Sequence, residues 1–526
     1  MPDSEKTFVI GTRASLLAVT QCTLVKNQLE KISGRKFSLK LIETEGDQKT
    51  DKPLWQLEGK DFFTKELDSA LLMGEVDMVV HSYKDLGSER PEGIKLAAVT
   101  RRASPYDILL FNKNSFDHES AKRFCVGTSS PRRISNTTAF LKDFLPSPIS
   151  KLPIETEVLR GNVNTRIQKL RDGKYDAIIL AMAGLERLCG LQNSKKQLRE
   201  LLNGLDYSIL PADYFTPAAS QGALAIECLD GRNDDGELEK ILDCATHGDT
   251  WDSIKKERAI FNSYGGGCHL AVGIHVEKKD HHYIHRIQGE VDGKRVESYY
   301  SEPKVQLACP ADKDQNKVFV GLAPEKVSEN YLSDKLLEKK SVIAENGPYP
   351  SGHFFVTSWH CIDNLEKVFD SGRVWVSGSK TWKALASRGF WVNGSADYMG
   401  HGKIAAFRNS PLVKLFGEID SVNDKCNVLT HKDSDSEIGE ILPSYERVTK
   451  SLSPEYVEKL KSAQYFFWTS FHQYSQYTDL IPEIKNGQHF CGLGKTLAHF
   501  KENNIKITSF SNLSEFLNWT KGNAHE

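Results

Sequence analysis

At 526 residues with a formal net charge of only -2, the chain is long enough for about three or four domains, and its charge balance gives no reason to expect a nucleic acid or an anionic membrane as partner. Recognition of anions must come from local clusters. The start, MPDSEKTFVIGTRAS, lacks the basic and apolar stretches of a signal peptide and no run reaches the length of a membrane span, which points to the cytoplasm. Ten cysteines without a CxxC pair or a Cys/His ligand spacing predict neither a metal site nor a disulfide framework.

The first two hundred residues alternate short β-rich runs with amphipathic segments, the pattern of βα units on mixed or parallel sheets. Thr7 to Arg13 reads as a strand, after which Ser15 can cap a helix. Val76 to Val80 reads as a strand running into HSYKDLG. Phe124 to Ser130 followed by Pro131-Arg132-Arg133 reads as a strand, a cap and a proline at the first helical position. Glu157 to Gly161 reads as a strand leading into the helix NVNTRIQKLRDG, followed by the strand Tyr175 to Leu180. From about 230 to 345 a helix near Thr250 to Tyr264 and the polar β-like HHYIHRIQGEVDGKRVESYY predict a smaller α+β domain. The turn chemistry of GPYPSG, 347 to 352, marks a boundary.

Beyond it lies an internal repeat. HFFVTSWH at 353 is echoed by YFFWTSFH at 465, and VSGSKT at 376 by GLGKT at 492, in the same order. Two similar α/β lobes are predicted. GLGKT lacks the glycine a P-loop needs five residues earlier, where His489 stands, so both turns read as strand-to-helix junctions rather than nucleotide sites.

Three strand ends bring basic residues to helix N-termini: Arg13 with Ser15, Arg132 and Arg133 after Ser130, and Arg160 with Arg166. Free amides, the helix dipole and planar guanidinium donors suit carboxylates, so a polyanionic small molecule is the expected ligand. Asp85, with Lys84 beside it, is either an ordinary turn residue or a carboxylate able to stabilise a developing cation or exchange protons with a ring nitrogen. Cys268 stands apart from the other thiols because three glycines precede it.

Seven motifs, GTRAS, HSYKDL, GTSSPRR, RGNVNTR, YDAIILAMAGLERL, PAASQGALAIE and ERAIFNSYGGGC, stand in the order found in the porphobilinogen deaminases, or hydroxymethylbilane synthases, which the chain resembles over about residues 7 to 275. The resemblance implies two periplasmic-binding-protein-like lobes (1–105 with 207–226, and 106–206) and a small α+β domain from 227 to an end between 310 and 346. It implies a dipyrromethane cofactor held by a thioether to Cys268, on which four porphobilinogens are condensed into hydroxymethylbilane with loss of ammonia. Asp85 matches the catalytic aspartate; Lys84, Asp47, Ser130, Arg132 and Arg133 match cofactor contacts; Arg13, Ser15, Arg160, Arg166 and Arg187 match substrate contacts, joined by Lys60 and Phe63 after a loop over the cleft at 49–59. The chain departs from the family at Asp61-Phe62 within GKDFF, at Gly87, at Ala219-Ser220 in PAASQGA and at Gln56 in the loop.

The repeated FFxTS strand end and Gly-x-x-Thr turn resemble uroporphyrinogen-III synthase over about residues 350 to 520, which implies two flavodoxin-like α/β lobes at 347–526 and closure of hydroxymethylbilane with inversion of ring D. Thr357, Ser358, Thr381, Thr469, Ser470 and Thr496 serve there either as helix caps or as donors to the bilane carboxylates. For the tyrosine of that family's second lobe, Tyr456 is only a nearby residue. The expectation is a monomeric bifunctional enzyme of haem biosynthesis with no metal. The alternatives are a deaminase with a non-catalytic C-terminal scaffold and a non-catalytic anion-binding protein.

Overall fold

A computed structural model describes residues 7–44, 64–112, 121–267, 270–279, 282–302, 317–343, 347–349 and 351–522. The described strands form five sheets. The first has the order Phe37–Ile42, Phe8–Arg13, Met78–Ser82, Leu224–Leu229, Ile94–Val99, with Leu224–Leu229 antiparallel to its neighbours. The second repeats this plan as Ile154–Glu157, Phe124–Gly127, Ala177–Ala181, Asp107–Asn112, Leu205–Ile209, with Asp107–Asn112 antiparallel. The central strands are apolar on both faces because helices cover both. Each lobe thus contains a strand delivered from across the hinge, which places the hinge segments 100–106 and 210–223 side by side.

Local signals account for the helices that frame this hinge. Ser15 accepts a bond from Ala18 N and starts Leu16–Ser33, Pro131 occupies the first turn of Pro131–Phe140, and Asn162 accepts from Thr165 N to start Val163–Arg171. The strand expected over Glu157 to Gly161 ends at Glu157 instead. Ser129 Oγ donates to Leu159 O (2.6 Å) and accepts from Leu159 N (3.1 Å), which turns the chain out of the ladder.

The helix Gly248–Ser263 packs on an antiparallel sheet of Ala271–Lys279, His282–Val291 and Lys294–Glu302, the expected small α+β unit. Two further α/β lobes follow. One sheet has the order Leu337–Ser341, Glu440–Thr449, Cys426–His431, Gly352–Val356, Gly372–Val376, Gly394–Ser395; the other has Leu332–Ser333, Val318–Val320, Tyr465–Trp468, Gln488–Gly492, Thr508–Phe510. The repeated motifs fall on matching strand ends of the two sheets.

Residues 324 to 343 contain no longer helix than the turn Pro324–Lys326. Val318–Val320 pairs in parallel with Tyr465–Trp468, and Leu337–Ser341 pairs with Glu440–Thr449, so the C-terminal lobes begin by residue 317 rather than at 347. Strands of two to five residues carry too little periodicity to be read from sequence.

The C-terminal lobes are not a loose appendage. Ile209 N donates to Asn393 O (2.9 Å), Asn393 Nδ2 to Tyr207 O (2.9 Å) and Ser208 Oγ to Val392 O (2.7 Å), extending the edge of the second sheet at Leu205–Ile209. Trp391 stacks on Phe111 at 3.7 Å, and Trp382 Nε1 donates to Phe144 O (3.0 Å). One continuous buried core runs across this junction, from Tyr207 and Ile209 to Trp375 and Phe416.

Candidate functional site

Strand Met78–Ser82 ends in a tight helical turn, Tyr83–Asp85, that exposes Asp85 at the interlobe cleft. A cavity of about 140 Å³ there is lined by Lys84, Asp85, Arg133, Arg166, Arg187 and Gln221, drawn from both lobes and the hinge. Lys84 reaches Gln221 Oε1 at 3.5 Å. Burial pushes its ammonium down to about 8 against the pull of Asp85, with Arg133 adding repulsion. Burial also lowers Arg166 and Arg187 to about 10, and Asp85 opposes the shift in both. Arg166 Nε donates to Gly161 O (2.7 Å) and Arg187 Nη2 to Gly222 O (2.6 Å), so backbone carbonyls fix both heads around the carboxylate. Gly222 adopts φ 95° and a Cβ there would lie 2.5 Å from Ala103 O, so only glycine lets the hinge strands meet.

Arg132 and Arg133 share one buried carboxylate. Arg132 Nη1 donates to Asp107 Oδ2 (2.7 Å) and Arg133 Nη2 to Asp107 Oδ1 (2.8 Å), and Gln221 Nε2 also donates to Asp107 Oδ1 (2.9 Å). Arg133 lines the cavity, whereas Arg132 turns to Thr216 O (2.8 Å) and does not. Burial opposes the charge on Asp107, but the two arginines hold it far below the carboxylate range. Asp107 was invisible in sequence as the lone acid opening an apolar strand. Ser15 caps its helix, Arg13 closes its strand half-buried, Arg160 is half-buried with its guanidinium lowered by desolvation, and Ser130 flanks the helix start. Cys268, Asp47, Lys60, Phe63 and the loop 49–59 lie outside the described residues.

The loop that leads to Cys268 meets the Asp85 turn. Arg258, on helix Gly248–Ser263, donates to the carbonyls of Leu86 (3.0 Å) and Gly87 (2.8 Å), and Ser88 Oγ donates to Asn262 Oδ1 (2.6 Å). Gly265, Gly266 and Gly267 follow with φ of 87°, 60° and 100°, a left-handed run open only to glycine.

Residues 8–239 match the family model described as "Porphobilinogen deaminase, dipyromethane cofactor binding domain". The porphobilinogen deaminase of Geobacter sulfurreducens is 39% identical over 269 residues, 51% of this chain and 76% of that protein. The chain belongs to the porphobilinogen deaminase family. A probable porphobilinogen deaminase of Archaeoglobus fulgidus is 34% identical and is covered over 99% of its length by 60% of this chain. A solved uroporphyrinogen-III synthetase from Helicobacter pylori aligns with 38% of this chain and 95% of its own at 16% identity and a TM-score of 0.27. The cofactor of the porphobilinogen deaminase part is dipyrromethane. A carboxylate-bearing two-pyrrole group fits the cavity's basic lining of Lys84, Arg133, Arg166 and Arg187.

A second cluster occupies the seam between the C-terminal sheets. Lys339 and Arg447 stand directly opposite in the antiparallel ladder, a like-charge pairing that costs stability unless an anion lies between them. Although Lys339 keeps an exposed surface, loss of hydration at the seam, with Arg447 and Lys326 adding repulsion, brings its ammonium down to about 8. Arg447 Nη1 crosses to Ser470 Oγ of the other lobe (2.7 Å), and the rings of His431 and His472 face each other across the seam at 5.6 Å. Buried Tyr445 has Lys339 Nζ 5.1 Å above its ring, with His360 and His431 at 5.9 and 5.6 Å.

The expected hydroxyls flank this cluster but are largely engaged within the protein. Thr357 donates to Leu429 O, Thr469 to Gly321 O and Thr496 to Thr469 O (3.0, 3.0 and 3.1 Å), while Ser358 and Ser470 accept from the amides of His360 and Gln473 as caps. Thr381 is buried in its helix. Tyr456 sits in the core with its hydroxyl on Ser333 O; Tyr445 is the tyrosine at the seam. Neither Lys339 nor Arg447 was readable as a pair, because their register joins strands a hundred residues apart.

Proposed function

We propose that this chain carries out two consecutive steps, polymerising four porphobilinogens into hydroxymethylbilane in the Asp85 cleft and closing that bilane to uroporphyrinogen III at the C-terminal seam. The observation that carries the first step is the meeting of Asp85, the basic cleft groups and the glycine loop before Cys268 through Arg258. Dipyrromethane, bound by thioether to Cys268, supplies the nucleophilic pyrrole end to which each substrate adds. Lys84 and Arg133, with Ser130 and Asp47, hold its acetate and propionate groups, and Arg132 acts through Asp107 to fix Arg133. Arg13, Ser15, Arg160, Arg166 and Arg187, with Lys60 and Phe63, take the incoming substrate. Asp85, a carboxylate exposed to the cleft, stabilises the cation that forms when ammonia leaves the substrate's aminomethyl group, whose methylene stays to bridge the two rings, and then takes the proton released when the attacking pyrrole regains aromaticity.

The second step is favoured by the like-charged Lys339–Arg447 pair between two like lobes, a place suited to a polycarboxylate, and by its fusion to an enzyme family whose product is one. The boundary between the parts falls between 302 and 317. Holding the bilane ends together supplies most of what closure needs, and the seam hydroxyls Thr357, Ser358, Thr469, Ser470 and Thr496 line its approach, with Thr381 buried behind them. The test feeds porphobilinogen to the full chain and to the double variant Lys339→Ala/Arg447→Ala. The wild type should yield mostly the type III isomer and the variant mostly type I; a type I product from both leaves a deaminase with a C-terminal scaffold.

A further inference from the structure

The loop Asp397–Gly400 follows strand Gly394–Ser395 and touches three parts of the molecule. Its tyrosine lies on the first of the two repeated turns: a Cβ on Gly378 would sit 2.2 Å from Tyr398 Cζ, and the phenol oxygen is 3.4 Å from Ser379 Oγ and from Lys380 N. Its backbone lies on the second, with Tyr398 O 3.1 Å from where a Cβ on Gly494 would be. The loop is therefore wedged between the matching strand-to-helix turns of the two C-terminal lobes. Asp397 and Tyr398 take φ of 45° and 61°, two successive left-handed residues that neither side chain favours. Such a backbone persists only where surroundings impose it.

Those surroundings belong to the cofactor-carrying domain. Lys403 Nζ pairs with Asp397 Oδ2 at 2.9 Å and stands 3.8 Å from Glu277 Oε2. Glu277 accepts from Arg286 Nη1 (3.0 Å), and Arg286 Nε donates to Asp213 Oδ1 (2.7 Å) in the hinge. Lys279 Nζ donates to Met399 O (3.3 Å). The Lys403 and Arg286 side chains are almost fully buried, so alternating charges run from the hinge through the small domain into the loop with little solvent screening. Beside this chain lies a cavity of about 710 Å³, which Lys403, Glu277 and Met399 help to line.

We infer that Asp397–Gly400 is a spacer that sets the separation of the two C-terminal lobes, and that Lys403 is the positioning residue through which the cofactor-carrying domain holds it in place. The functional readout rests on the ring-closing role proposed above; the structural readout does not. In the full chain, Lys403→Met should raise amide exchange at residues 379–382 and 494–498, and should raise KM for hydroxymethylbilane about tenfold with little change in kcat, the size expected from removing one coupled contact. Porphobilinogen consumption should stay at the wild-type rate, Lys403→Arg should restore both readouts, and Glu277→Gln should reproduce the defect more weakly. Exchange at both turns unchanged in Lys403→Met and Glu277→Gln would overturn the inference, as would Lys403→Arg behaving like Lys403→Met. A wild type that closes no ring would remove the proposed second activity, and the exchange comparison would still decide the spacer.

Discussion

Glu257 binds Arg102 through both carboxylate oxygens, at 2.6 and 3.1 Å, with no exposed side-chain surface of its own. The same carboxylate accepts from Ser220 N and Val276 N, both at 2.7 Å, and so ties the hinge to the small α+β domain. Burial raises its pKa, but Arg102 and His275 outweigh that and hold it at about 2 against an ordinary 4.5. A depressed carboxylate stabilises the fold fully above about pH 4.5 and loses that contribution as pH falls toward 2, here about 3 kcal/mol. Glu257→Gln should cost about 3 to 5 kcal/mol at neutral pH by stranding Arg102 and should flatten the acid limb, as urea unfolding followed from pH 7 down to about pH 2 will show.

Asp85→Asn should leave unfolding unchanged, because the side chain is exposed in the cleft, and should lower porphobilinogen turnover by about a hundredfold or more. Single-turnover kinetics check the rate, and intact mass checks that the cofactor remains attached.

Lys84 is charged below about pH 8 and loses its proton above it. Its attraction for a substrate or cofactor carboxylate is therefore present at pH 7 and fades through pH 8. The rate of porphobilinogen turnover should fall about tenfold between pH 7 and 9 as the cofactor loses this anchor, and Lys84→Met should show the low rate throughout.

Arg373, almost fully buried, bridges Asp206 of the second deaminase-like lobe (2.9 Å) and Asp420 of the C-terminal part. Arg373→Met should destabilise the whole chain by about 3 to 5 kcal/mol. Calorimetry should show both parts losing stability together.

The deaminase half was legible because its signals are local. A capping serine, a first-turn proline and a polar turn after an apolar strand each announce themselves within five residues, so Ser15, Pro131 and Asp85 lay where expected. Asp107 and Glu257 were not legible, since their meaning is a set of partners brought from distant strands. The C-terminal repeat announced two lobes, yet most of its hydroxyls bond within the protein. The charged pair at the seam exists only through the register of Leu337–Ser341 on Glu440–Thr449. Local chemistry survives translation into one dimension; pairings across a ladder do not.

The continuation of strand Leu205–Ile209 by Val392 and Asn393 has a bearing on the chain's history and handling. An uncovered strand there would offer free backbone groups to any other sheet. A chain ending before residue 317 would carry that sticky margin into solution, together with the apolar surfaces of Phe111 and Tyr207 that Trp391 and Phe416 cover in the full chain. Separating the halves would then produce clumping rather than two independently folded parts, and a premature stop late in the coding sequence should damage porphobilinogen turnover although it removes none of the Asp85 cleft.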